Sequence, residues 1–275
     1  MKINFSKLTA AGNDFILIDN REEIIKCLDY QALAKKICDR KYSIGADGLI
    51  LLEKSNMFVD FKMKYINSDG SFASMCGNGS RSIAKFAYEI GLVNLKMSFE
   101  TDAGTVNAEI LETDKNNVRV YLYNPKDLVK DIKVLIDEKE FNIDFINTGV
   151  PHAIIFVDCN IIDINVVKYG RSVRYHEKFT PNGVNVNFVK IIDNKTISVR
   201  TYERGVEDET LACGTGVTAS AIVSVIRNFV KSPVCVITKG GDKLFVSLRK
   251  KNNDKVDNVT LEGPAYISFR GTIEI

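Results

Sequence analysis

Glycines that lead into short apolar runs punctuate the chain. Gly12 opens GNDFILID, Gly45 opens GADGLILLE, Gly149 opens GVPHAIIFVD and Gly183 opens GVNVNFVKI. Each run has the length and β-branched content of a strand. Further strands are predicted where apolar and polar positions alternate, in NVRVYLY, KTISVRTY, KLFVSLR and YISFRGTIEI. Helical spacing is confined to a few stretches. QALAKKICDR is one. SRSIAKFAYEIGL is another, with Gly91 as a C-terminal cap. VTASAIVSVIRNFV is a third, apolar nearly all round until Arg227 and ending before Ser232-Pro233. A helix of that kind is buried on most sides. The polar stretches KDLVKDIKVLIDEKEFN and RKKNNDKVDNV read as surface hairpins or loops.

The pattern repeats. Gly12, Gly45 and Cys76 stand 33 and 31 residues apart, and Gly149, Gly183 and Cys213 stand 34 and 30 apart. Both cysteines begin a C-G-x-G turn followed by a helix, in MCGNGSRS and ACGTGVTAS, 137 residues apart. Landmarks recurring at matched spacing argue for an internal duplication. The expected fold class is α+β (α/β mixed): two pseudo-symmetric domains, each a curled, barrel-like β-sheet around a central helix, with the active site in the cleft between them. One domain takes residues 1–123 plus a returning strand at about 266–275. The other takes 124–265, with the join near Tyr123 to Lys130.

Composition narrows the choices of function. A chain of 275 residues, 45% apolar and 26% charged, suits a globular protein with ample core. A formal charge of +2 gives no ground for a nucleic-acid or membrane-surface partner. No run of eighteen apolar residues occurs, and MKINFSKLTAAGNDF lacks the apolar core of a signal peptide. A cytoplasmic protein with reduced thiols is therefore expected. Six cysteines without a C-x-x-C pair, and only two histidines (His152 and His176), speak against a metal site. Cys27, Cys38, Cys159 and Cys235 sit in ordinary apolar or helical surroundings and read as core or surface filler, and His176, with no motif around it, reads as exposed.

Cys76 and Cys213 differ from the other four in standing at the start of a helix. The first N–H groups of a helix lack internal partners and carry partial positive charge. They favour a thiolate, and they can hold a carboxylate where glycines let the backbone approach it. Two thiols of similar pKa in opposite protonation states are suited to removing a proton from one face of a carbon and delivering one to the other. Such a reaction needs no cofactor. Glycine-rich turns before helices also bind phosphate, but no G-K-[ST] or strand-adjacent G-x-G-x-x-G is present. A Cys–His hydrolase using His152 would leave the second cysteine without a purpose.

The chain resembles the diaminopimelate epimerase family along its full length. The resemblance rests on KLTAAGNDFILID, IGADGLILLE, NSDGSFASMCGNGSR, TGVPHAIIFV, NGVNVNF, YERGVEDETLACGTG and LEGPA. It implies that Cys76 and Cys213 are the catalytic acid and base, with His152 and Glu203 beside them tuning their protonation. It implies substrate contacts from Asn13, Asn67 and Asn185, with Glu203-Arg204 as the family's Glu-Arg pair and Arg204 on the distal carboxylate. The peptide groups of Gly77-Asn78 and Gly214-Thr215 would hold the reacting carboxylate. The implied substrate is the dicarboxylic amino acid diaminopimelate, and the implied assembly is a homodimer. The chain departs from the family pattern at Ala10-Ala11, at Val150 where asparagine is usual, and at Gly48 where glutamine is usual. Two rival functions remain. One is another cofactor-independent racemase, of the proline or hydroxyproline type, whose monocarboxylate substrate would give Arg204 no distal partner. The other is a non-catalytic binder of dicarboxylic amino acids, which would not need paired thiols. The one-cysteine relatives from phenazine biosynthesis are excluded by the presence of both.

Overall fold

A computed structural model describes residues 1–25 and 29–275, so Cys27 lies outside the described residues. The chain divides into two compact units, Met1–Tyr121 with Glu262–Ile275, and Leu122–Leu261.

The first unit holds strands β1 (Lys2–Ala10), β2 (Asn13–Asp19), β3 (Gly48–Glu53), β4 (Phe61–Asn67), β5 (Phe72–Ala73), β6 (Lys96–Thr101), β7 (Gly104–Leu111), β8 (Asp114–Tyr121) and β18 (Tyr266–Glu274), with helices α1 (Tyr30–Ile37) and α2 (Gly77–Glu89). β18 pairs antiparallel with β1, and β1 antiparallel with β2. β2 is parallel to β3, β3 antiparallel to β4, β4 parallel to β6, and β6 antiparallel to β7. The second unit repeats this order with β9 (Lys126–Ile136), β10 (Lys139–Asn147), β11 (Pro151–Phe156), β12 (Asn185–Ile191), β13 (Thr196–Glu203), β14 (Asp208–Thr210), β15 (Val234–Ile237), β16 (Lys243–Lys250) and β17 (Val256–Pro264), whose last residues, from Glu262, belong to the first unit. Its helices are α3 (Val166–Arg174) and α4 (Gly214–Ile226). β9–β10, β10–β11, β12–β13 and β15–β16 are antiparallel, and β11–β12 and β13–β15 are parallel. The internal repeat is thus a repeat of strand pairing and direction. The four landmark glycines, Gly12, Gly45, Gly149 and Gly183, all take positive φ. At Gly183 a Cβ would also collide with the backbone oxygen of Arg174, at 2.7 Å.

Each unit wraps a sheet around one helix. α2 packs on β1, β2, β3, β4, β7, β8 and β18, and is buried from Gly77 through Ala87. α4 packs on β10 to β13, β15 and β16, and is buried from Gly216 to Ile226. The apolar run of α4 therefore reflects contact on every side. α4 is shorter than its sequence suggests. It stops at Ile226, and Asn228 takes a left-handed φ of 61° that lets the chain turn away. α1 and α3 lie outside the sheets. Leu33, Ala34 and Ile37 join the apolar layer of β1 to β4, and Val166 and Val173 join that of β9 to β13. The polar stretch KDLVKDIKVLIDEKEFN forms the β9–β10 hairpin. Its turn residues Asp137 and Glu138 both have positive φ, the conformation that suits a tight hairpin.

Arg227, the last residue of the α4 capping turn, anchors that helix to β10. Its Nε and Nη2 donate to both oxygens of the buried Asp144, at 2.8 and 2.5 Å. Replacing Arg227 by methionine leaves the buried Asp144 carboxylate without its charge partner, with the Asp131 N–H still donating to Oδ1 at 3.0 Å. The expected cost is about 3 kcal/mol, measurable as a lower midpoint in urea unfolding with an unchanged m-value. Asp144→Asn in the same background should recover part of the loss.

Candidate active site

Both C-G-x-G turns fold as the start of a buried helix. Cys76 is the N-cap of α2, in extended conformation, and its carbonyl accepts the first helical bond from Ser80 N at 2.7 Å. Its Sγ accepts from Gly79 N–H at 3.4 Å, so the half-buried sulfur lies against the helix terminus. Cys213 is the N-cap of α4 and is buried, and its carbonyl accepts from Val217 N at 2.8 Å. Its Sγ makes no capping bond and instead shares a hydrogen with Thr215 Oγ1 at 3.4 Å. The two sulfurs thus differ in these contacts, a fixed backbone N–H for Cys76 and, for Cys213, a rotatable hydroxyl that can either give or accept the hydrogen. The remaining described cysteines are different in kind. Burial pushes the Cys38 thiol up to about 12 and raises that of Cys235, while Cys159 is exposed. Such thiols are inert or incidental.

In the first unit a chain of side chains runs from the Cys76 turn into the sheet. The fully buried Arg81 donates from Nη2 to Asn78 Oδ1 at 2.7 Å. Asn78 Nδ2 donates to Asn13 Oδ1 at 2.7 Å, and Asn13 Nδ2 donates to Asp47 Oδ2 at 2.9 Å. Asn13 and Asn78 are thus brought together with their carboxamides oriented. Beside them Asp14 pairs with Lys7 at 2.9 Å and Arg40 at 2.6 Å. Burial works to raise the Asp14 carboxyl, but hydrogen bonds from Arg40 and Lys7 and their charges outweigh it and bring it to about 2. Asn67 closes β4 opposite Gly48. Its Nδ2 donates to Ser71 Oγ at 2.9 Å, with no bond to the Cys76 turn. Gly48 has no room for the usual glutamine, because a Cβ there would stand 2.4 Å from Tyr65 Cε2 and 2.8 Å from Ile66 O. The ring of Tyr65 fills that space.

In the second unit the parallel pair β11–β12 sets His152 beside Asn185. Asn185 Nδ2 donates to Pro151 O at 3.1 Å, and its Oδ1 accepts from Arg204 N–H at 2.9 Å. Glu203 ends β13 half-buried, and Arg204 follows it. Arg204 Nη1 donates to Asn182 O at 3.1 Å and the side chain lines a cavity of about 450 Å³ with Asn147, Pro151 and Lys178. Thr148 Oγ1 donates to Thr215 O at 3.2 Å, tying the turn that carries Val150 to the Cys213 turn. Among the described residues no cluster of three His, Cys, Asp or Glu side chains suits a metal ion, and no helix is long and apolar enough to cross a membrane. His176, expected to be exposed, is half-buried and caps a short turn, its Nδ1 accepting from Lys178 N–H at 3.2 Å.

His152 is fully buried, and that burial, helped by the charge of Arg204, drives its pKa down to about 3. The ring is neutral in the folded protein, whereas the unfolded ring titrates near 6.5. Its contribution to stability is therefore complete above about pH 6.5 and lost as pH falls through the window toward 3, at about 1.4 kcal/mol per pH unit. Chemical denaturation across that window should show one fewer proton taken up on unfolding in His152→Gln than in the parent.

The reading of the sequence missed Asn187, Arg81 and Thr148. Asn187 had a signal in the sequence, being the second polar residue on one face of VNVNFV, an otherwise apolar strand.

Residues 5–126 and 145–267 match a family model described as Diaminopimelate epimerase. A protein of Aquifex aeolicus named diaminopimelate epimerase is 44% identical over 279 residues, covering 98% of each chain. Among solved structures, a Bacillus anthracis phenazine biosynthesis protein of the PhzF family superposes with a TM-score of 0.77 at 16% identity, covering all of both chains. A probable proline racemase from Agrobacterium radiobacter gives 0.72 at 15%, covering 99% of this chain and 92% of that one. At those identities the structures speak for the fold alone, and the fold is theirs.

Proposed function

This chain belongs to the diaminopimelate epimerase family, and from that premise we propose that it interconverts LL- and meso-diaminopimelate, with Cys76 and Cys213 as the two bases. The observation that carries the proposal is that both cysteines occupy the N-cap of a buried helix at equivalent points of a duplicated fold. In one direction a thiolate takes the α-proton and becomes a thiol, while the other thiol gives its proton to the opposite face and becomes a thiolate. The roles exchange for the reverse reaction, so atoms and charge balance without a cofactor. The N–H groups of Gly77, Asn78, Gly214 and Thr215 hold the reacting carboxylate and take up charge as the α-carbon becomes a carbanion. Asn13, Asn67 and Asn185 contact the substrate, Arg204 binds its distal carboxylate, and His152 and Glu203 set the protonation of the thiols. The resemblance also carries a homodimeric assembly and a place in the cytoplasm, supplying lysine and peptidoglycan precursors.

The test supplies LL-diaminopimelate in heavy water without pyridoxal phosphate. Meso isomer carrying one α-deuterium is the expected product, read by chiral chromatography and mass analysis. Meso isomer without deuterium would refute proton exchange through solvent-equilibrated thiols. No conversion, with binding retained, would favour the non-catalytic binder.

A further inference from the structure

Asn187 lies within β12, fully buried, and its carboxamide is engaged on every side. Oδ1 accepts from Thr201 Oγ1 at 2.9 Å. Nδ2 stands 3.1 Å from Ala153 O and 3.1 Å from His152 Nδ1. These contacts admit one arrangement of protons. A carbonyl oxygen only accepts, so the nitrogen end of the amide must face Ala153 O, and a flip would set oxygen against oxygen. An amide nitrogen only donates, so its second hydrogen must point at a bare Nδ1. The single proton of the neutral His152 ring therefore sits on Nε2. An imidazolium would press N–H against N–H.

Two further observations make this more than packing. His152 Nε2 is buried and has no hydrogen-bond partner among the described residues. A buried donor left unsatisfied costs about 1–3 kcal/mol, so it is kept where something arrives to accept from it. The Asn187 amide also lies against the first turn of α4: a Cβ on Gly216 would stand 2.3 Å from Asn187 Oδ1 and 3.4 Å from Cys213 Cβ. The ring, the amide and the Cys213 turn are thus built as one unit.

We propose that Asn187 is a positioning residue that locks His152 as a neutral Nε2–H donor, so that His152 gives a hydrogen bond to negative charge that arrives at Nε2 and does not itself abstract the substrate proton. The role in the reaction rests on the function proposed above, while the position of the proton does not.

With only two histidines in the chain, ¹⁵N-labelling of histidine and long-range ¹H–¹⁵N correlation reads the tautomer directly, and His176→Gln assigns the signals. In the parent protein without substrate, His152 should show a bare Nδ1, a protonated Nε2 and no titration between about pH 5 and 8. A proton on Nδ1, or a ring that titrates in that range, overturns the proposal with no variant needed. Asn187→Asp puts an acceptor opposite Nδ1 and should move the proton to it. Its kcat should then fall roughly tenfold or more, with KM within about threefold of the parent. Lost activity with the Nε2–H tautomer retained would make Asn187 merely structural, and a moved proton with kcat unchanged would remove His152 from the chemistry. Either outcome overturns the proposal. A parent protein with the Nε2–H tautomer that leaves LL-diaminopimelate unchanged would defeat the proposed function while supporting the assignment of the proton.

Discussion

Alanine at either Cys76 or Cys213 is expected to lower epimerisation by about 10³-fold or more, in both directions. Each thiol serves as base for one isomer and acid for the other, so neither direction survives the loss of one. General acid–base groups contribute typically about 10²–10⁴-fold each, and a single variant loses the base of one direction and the acid of the other. The residual chemistry is the sharper test. A protein left with one thiol still faces one side of the α-carbon, so in heavy water it should exchange the α-proton of one isomer only, without inversion. The two variants should choose opposite isomers. Exchange from both isomers by a single-cysteine variant would sink the two-base assignment. Folding separates the two variants as well. Cys76 Sγ caps Gly79 N–H, whereas Cys213 Sγ makes no capping bond. Cys76→Ala should therefore lose a helix cap worth up to about 1 kcal/mol, a loss that Cys213→Ala does not incur. The exposed Cys159 replaced by serine supplies the control with parental activity.

Much of this architecture was legible because its signals are local. A glycine at positive φ before an apolar run marks a strand entry, and the same spacing twice marks a repeat. Both C-G-x-G turns proved to be helix N-caps because extended cysteine followed by glycine leaves the first helical N–H groups open. Where the sequence misled, a tertiary contact decided. RNFV continues the apolar pattern of α4, yet Arg227 is drawn to Asp144 and Asn228 turns left-handed, so the helix ends early. α3 passed unnoticed because NVVKYG opens on β-branched residues and carries Gly170. That glycine is kept for packing: a Cβ there would stand 2.4 Å from Tyr202 Cβ. The residues around the site were only partly legible for a related reason. Cys76 and Asn78 share one helix start, so their motif is visible as a string, while the buried bond from Arg81 to Asn78 on the same helix is not. The Asn187–His152–Thr201 network joins three strands, and nothing in the sequence says which polar side chains meet across them.

Replacing Arg204 by methionine should lower kcat/KM for diaminopimelate by about 10²–10³-fold, mostly through KM. The Arg204 backbone N–H is fixed by Asn185, and Nη1 by Asn182 O. The residue lines a cavity of about 450 Å³, and a planar guanidinium is shaped for two parallel bonds to a carboxylate. Truncating one partner of a hydrogen-bonded charge pair that is shielded from water costs about 2–5 kcal/mol, which brackets the expected loss. Lysine at this position should recover only part of it, because a point charge cannot make two parallel bonds. The substitution also removes a charge that helps depress His152, but burial is the larger cause of that shift. The ring should therefore stay neutral at pH 7, and the ¹⁵N spectrum checks this in the same sample. A loss confined to kcat with KM unchanged would instead place Arg204 at the chemistry. Equal losses for a monocarboxylic analogue would show that the guanidinium does not read the distal carboxylate. With the fork gone, an analogue that never had that carboxylate should bind no worse than it binds the parent, and the preference for the dicarboxylic acid should disappear.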